Sequence, residues 1–167
     1  MKISTLVLVT AIVLLIMTLY LTQRYRTQGQ SSAKKSGILP SVDTSTPEGA
    51  ILCLEEAYRA KGIERAVELK DFEAEAELML QKVNPKFQVD KNIVSKTAET
   101  LELAFRKEMD VSGFPDFDGV ESSFVARKEI REGLVEVTEI TKGPDGKKLK
   151  DVLLVKKGPN GWRVITP

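Results

Sequence analysis

The stretch LVEVTEITKGPDGKKLKDVLLVKKGPNGWRVIT, residues Leu134–Thr166, decides the fold class. It holds three segments of strand composition, Leu134–Thr141, Leu149–Lys157 and Trp162–Thr166, rich in Val, Ile, Leu and Thr. Between them stand Gly143-Pro144-Asp145-Gly146 and Gly158-Pro159-Asn160-Gly161. Both carry the Pro and Asn/Asp-Gly chemistry of tight reversals, so the three segments form an antiparallel meander. A further strand segment, Val120–Ile130, precedes them and connects through Arg131-Glu132-Gly133.

Upstream of the strands the pattern is helical. Thr46-Pro47-Glu48 reads as an N-cap, a proline at the first helical position and an acid in the first turn. Ala50, Ile51, Leu54, Ala57 and Tyr58 recur at helical spacing until Lys61-Gly62, where the glycine is the expected C-cap. A short second helix is expected from Ile63 to Leu69 and is broken at Lys70-Asp71-Phe72. Asp71 caps a third, with Phe72, Ala76, Met79, Leu80 and Val83 as its apolar stripe and Asn84-Pro85 as its end. The fourth runs from Lys91 to Met109 behind Asp90, with Ile93, Thr97, Leu101, Ala104, Phe105 and Met109 inward. Gly113-Phe114-Pro115-Asp116-Phe117-Asp118-Gly119 is the loop between helices and strands. Helices first and an antiparallel sheet afterwards means α+β, with the helices on one face of the sheet.

Ahead of this domain, residues 46–167, lie two segments of different character. Ile3–Leu21 is nineteen residues without a charge, which as a helix spans roughly 28 Å, the hydrocarbon thickness of a bilayer. Tyr20 and Tyr25 stand at the interface and Arg24 and Arg26 close the run. A cleaved signal has a shorter apolar region and a small-residue site promptly after it, which Leu21-Thr22-Gln23-Arg24 does not offer. Residues 1–22 are therefore expected to be a retained single-pass anchor through residues 3–21, with the side taken by the soluble domain left open. Residues 23–45, rich in Ser, Thr, Gln, Gly and Lys, are expected to be a flexible linker.

Composition removes several function classes. The 167 residues carry 25 Lys and Arg against 24 Asp and Glu. Five of the basic groups and one acid fall in residues 1–45, so the domain itself carries a net charge of −3. Phosphate recognition needs a concentrated basic face, so nucleic acid is not an expected partner. Histidine is absent, which removes His-based triads, His-ligated metal and a His general base. Cys53 has no second cysteine to pair with and sits between Leu52 and Leu54, as a small buried apolar group. No metal, no cofactor and no catalytic residue is expected.

Thr46-Pro47-Glu48-Gly49-Ala50-Ile51, the Ala60-Lys61-Gly62-Ile63-Glu64 turn and the terminal Gly161-Trp162-Arg163-Val164-Ile165, in this order, resemble the nuclear transport factor two-like superfamily. That resemblance implies a cystatin-like cone in which helices close over a curved antiparallel sheet. The stretches Lys70–Leu80, Lys96–Arg106 and Gly113–Phe117 resemble its subgroup of immunity proteins from bacterial polymorphic toxin systems. That likeness implies a non-catalytic protein that binds and neutralises a toxin. Dimers through the open sheet face are common in the superfamily, so a homodimer is allowed, although no residue here demands one.

Two surfaces are candidates for a protein partner. Asp71, Glu73, Glu75 and Glu77 form an acidic stretch at the start of the third helix, where the helix dipole alone already favours them. Asp116 and Asp118 lie between Phe114 and Phe117 on the loop; they lack the further oxygen ligands of a calcium loop and read mainly as turn formers. Tyr58, Phe72, Phe105 and Trp162 are the aromatic residues expected in the core or around a pocket. Lys147, Lys148, Lys150, Lys156 and Lys157 crowd the second hairpin, as strand-edge guards or as a contact for anionic lipid. The expected function is a membrane-anchored, non-catalytic binding protein. The alternative is a small-molecule-binding sensor or accessory domain on the same fold.

Overall fold

The computed structural model describes residues 43–83 and 90–165. The anchor, nearly all of the linker, the end of the third helix at Asn84-Pro85 and Thr166 lie outside the described residues. Among the described residues no helix is long and apolar enough to cross a membrane. Among the described residues four helices, α1 (Pro47–Arg59), α2 (Ile63–Leu69), α3 (Phe72–Val83) and α4 (Lys91–Val111), precede four strands. These are β1 (Glu121–Arg131), β2 (Leu134–Lys142), β3 (Lys148–Gly158) and β4 (Gly161–Ile165), ordered β1-β2-β3-β4 with every neighbour antiparallel. The α+β organisation and the meander are those the sequence predicts.

Local signals set the element ends. Thr46 Oγ1 accepts from Gly49 N–H at 3.0 Å, Asp71 Oδ1 from Ala74 N–H at 2.9 Å, and Asp90 Oδ1 from Asn92 N–H at 2.9 Å. Each satisfies an amide that the first turn of a helix leaves unbonded. At the end of α1 the left-handed residue is Lys61, at φ 53°, and not Gly62. Gly62 N–H donates to Ala57 C=O and Lys61 N–H to Tyr58 C=O, the paired bonds of a Schellman motif whose left-handed position falls one residue before the glycine.

The helices do not all lie on one face of the sheet, as the sequence reading has it. On one face α1 and α2 pack Ala50, Ile51, Leu54, Ala57, Ala66 and Leu69 against Val135, Val137, Val155 and Val164. After α2 the chain runs along the edge at β4, where Lys70 bridges to Val164 in parallel and Asp71 N–H donates to Val164 C=O at 2.9 Å. Beyond that edge Ala74 and Leu78 of α3 meet Leu134, Leu154 and Ile165, which the strand alternation places on the opposite face. Leu134 and Val135, consecutive and both buried, show that this end of the sheet is covered from both sides.

A third cluster joins α3 to α4 through Phe72, Ala76, Val94 and Ala98, with Val67, Leu80, Leu101 and Phe105 around them. The inner stripe of α4 is therefore Val94, Thr97, Ala98, Leu101 and Phe105, and Ile93 faces outward. Val83, expected on the stripe of α3, is exposed too. Two register shifts interrupt the β1–β2 ladder, between Phe124 and Ala126 and between Glu129 and Arg131. Such bulges bend the strand and increase its local twist.

Candidate functional site

The loop after α4 is held down by its aromatic residues. Phe114 and Phe117 lie 6.3 Å and 5.9 Å from Tyr58, ring centroid to centroid, and Phe105 meets Tyr58 from α4 at 6.4 Å. Phe105 also touches Phe72 at 5.8 Å, so three of the predicted aromatic positions, Tyr58, Phe72 and Phe105, form one contiguous run with Phe114 and Phe117. Asp116 and Asp118 stay exposed, and Asp116 Oδ1 accepts from Asp118 N–H at 3.0 Å, an aspartate turn. Arg59 clasps the loop to α1 by donating to Phe117 C=O at 3.3 Å and to Val120 C=O at 3.4 Å.

Beneath that clasp lies a pair of buried carboxyl groups that the sequence reading does not single out. Glu55 of α1 is 3% exposed and Glu139 of β2 is 4% exposed. Ser122 Oγ donates to Glu55 Oε1 at 2.6 Å, and Arg59 Nη2 reaches Glu55 Oε2 at 3.3 Å. Burial first, then the hydrogen bond and charge of Glu55, raise the Glu139 carboxyl to about 8; Asp151 adds in the same direction and Ser122 opposes. Glu139 therefore keeps its proton at neutral pH and can share it with Glu55. Among the described residues Glu139 Oε1 is buried without a hydrogen-bond partner. Both residues stand where the sequence pattern asks for an apolar side chain. Glu55 shares a helical stripe with Ile51, Leu54 and Tyr58, and Glu139 follows Val135 and Val137 on the inward alternation.

The acidic stretch of α3 divides. Glu73 is exposed and Glu77 half-buried. Asp71 caps the helix and lies 3.9 Å from Lys156 Nζ. Glu75 turns inward to Lys70, with Nζ to Oε2 at 3.4 Å. Lys70 is 5% exposed, and its ammonium sits 5.1 Å from the Phe72 ring centroid and 5.0 Å from that of Phe105. Burial pulls the Lys70 pKa down, with Glu75 opposing. The structure thus does not bring the four acids together as one exposed face. It builds a buried cation from a lysine, a carboxylate and two rings.

Trp162 packs half-buried against the main core and lines an open depression of about 660 Å³ at the far end of the inner sheet face. The other lining residues include Arg127, Glu129, Glu132, Val135 and Lys157, a mixed-charge rim over a small apolar floor. The Thr44 carbonyl accepts from Trp162 N–H at 2.7 Å. Cys53 is half-buried against the main core, and burial raises its thiol pKa. Among the described residues no group of three or more His, Cys, Asp or Glu is placed to hold a metal ion.

The fold defines the class as an α+β domain with helices on both faces of a four-stranded antiparallel meander. No family model, curated protein or solved structure matches the chain.

Proposed function

We propose that this chain is a membrane-anchored, non-catalytic binding protein of the nuclear transport factor two-like kind, most specifically one that neutralises a protein toxin. The observation that carries the reading is the direct packing of α1 and α2 on the inner sheet face among the described residues. Where an enzyme or carrier on a cone fold needs a cavity, Ala50, Ala57 and Ala66 let the helices sit directly on Val135, Val137 and Val155. On that inner face Glu55 is engaged by Ser122 and Arg59, and Glu139 is set against Glu55. Binding is left to the outer surfaces, where a protein partner finds half-exposed Phe114 and Phe117 with Asp116 and Asp118 beside them. The uncharged run Ile3–Leu21 supports the anchor.

The open depression beside Trp162 favours a second reading, a small-molecule sensor or accessory domain, because an aromatic wall under a rim of Arg127, Lys157, Glu129 and Glu132 suits a small, planar ligand with polar groups of both signs. One experiment separates the two. Full-length protein is captured from membranes of its native host, beside a control lacking residues 1–45, and bound species are identified by mass spectrometry. A stoichiometric protein partner supports the first reading. A retained small molecule in native mass spectra, with no protein partner, overturns it in favour of the second.

A further inference from the structure

β3 runs for eleven residues but β4 for five, and β4 pairs only with Leu154–Gly158. Among the described residues, Lys148–Leu153 therefore have a strand on the β2 side and none on the other. One hydrogen bond fixes which backbone groups face the open side. Lys157 N–H donates to Gly133 C=O at 2.8 Å, toward β2. The β2–β3 register is unbroken from Lys142↔Lys148 to Leu134↔Lys156. With a period of two, odd-numbered residues of β3 bond toward β2, and Lys148, Lys150 and Val152 turn N–H and C=O to the open edge.

Those three side chains share a sheet face with their register partners Lys142, Ile140 and Thr138. Leu149, Asp151 and Leu153 occupy the other face. Lysines commonly guard an unpaired edge against aggregation. Guarding does not account for Leu149 and Val152, which alternate with the lysines and remain 53% and 45% exposed. The edge offers free backbone groups, two cations at alternate positions and apolar side chains on both faces.

We propose that Lys148–Leu153 is a docking edge that takes an extended acidic-apolar strand from a protein partner, continuing the sheet beyond β4. This rests on the protein-binding reading and adds a second surface to the loop at Phe114–Asp118. Backbone hydrogen bonds supply the affinity. Acidic residues at alternate positions of the incoming strand meet Lys148 and Lys150, and the intervening apolar residues cover Leu149 and Leu153.

The test uses full-length protein in neutral detergent micelles and an end-capped heptapeptide of alternating leucine and glutamate, with amide hydrogen exchange as the readout. Slower exchange at Lys150 and Val152 is expected. Binding should weaken at least tenfold for Lys150→Pro, which removes an outward N–H, for a peptide with lysine in place of glutamate, and for a peptide N-methylated along its bonding edge. The N-methylated peptide needs no change to the protein, so it decides the matter if Lys150→Pro fails to fold. Equal binding of the N-methylated peptide, or exchange unchanged across 148–153, overturns the proposal. A captured partner that protects other residues leaves protein binding standing and removes this edge. Peptide protection here with no natural protein partner found keeps the edge and removes the broader reading.

Discussion

Replacing Glu139 by glutamine should remove a pH dependence that the native protein carries. The Glu139 carboxyl titrates at about 8 in the folded chain against an ordinary value of 4.5. Between those two values the folded state holds a proton that the unfolded state has released. The contribution of this group is therefore fully present below about pH 4.5 and is lost as pH rises through 8. One proton corresponds to at most about 1.4 kcal/mol per pH unit, so up to about 3 kcal/mol between pH 5.5 and 7.5. Glutamine keeps an N–H for Glu55 and does not titrate. The groups facing Glu139 are Glu55 from α1, held by Arg59, Ser122 from β1 and Asp151 from β3. Urea unfolding of full-length wild type and Glu139→Gln, in the same detergent at pH 5.5, 6.5, 7.5 and 8.5, cancels the titration of all remote groups in the difference. The variant should gain on wild type by about 1 kcal/mol per unit up to pH 7.5 and level off above 8. A difference that stays constant with pH, or that shrinks as pH rises, refutes the shared proton.

Lys70→Met removes the ammonium from Glu75 and from two ring faces, and should cost about 1–3 kcal/mol in thermal or urea unfolding, part of it recovered by Glu75→Gln in the double variant. Burial depresses the Lys70 pKa, so its contribution should increase as pH climbs toward 10.5, the reverse of Glu139. Asp71→Ala strips the cap from Ala74 N–H and the carboxylate from Lys156, and should cost about 0.5–2 kcal/mol, while Asp71→Asn, which can still cap, should lose less. Gly161 has φ 114°, and a β-carbon there would lie 2.6 Å from the Thr44 carbonyl, so Gly161→Ala should both strain β4 and loosen the segment at Thr44, read as faster limited proteolysis around residues 43–46.

The fold was legible where a local rule and the tertiary structure ask for the same thing. Asp71 and Asp90 are good caps in any context, and Gly143–Gly146 and Gly158–Gly161 make reversals without help from the rest of the chain, so helix starts and strand order follow from residues alone. The reading erred by one step wherever two neighbouring residues could each fill a role. Lys61 takes the left-handed turn because Gly62 is needed as the start of α2, where its carbonyl accepts from Ala66 N–H at 2.9 Å. On α4, Val94 and Ile93 are both apolar, and which one faces inward is set by the angle at which α3 arrives, a tertiary quantity.

The carboxyl pair was visible in principle, since a glutamate at an inward position on a helical stripe and another on an inward strand alternation are each a polar residue where the pattern predicts an apolar one. What no local pattern contains is that the two positions meet. Glu55 and Glu139 come together only because β2 lies under α1 at that register. Glu75 teaches the converse. Counted along the sequence it belongs to an exposed acidic run, yet its partner Lys70 lies at the sheet edge, a position defined by the bridge to Val164 of β4. The open edge of β3 has the same origin. Each strand is readable from its own composition, but the exposed half of β3 is a difference in length between two strands and becomes a surface only once they are paired. Functional surfaces of this kind, built from what a neighbour fails to cover, are the part of a site that sequence periodicity is least able to express.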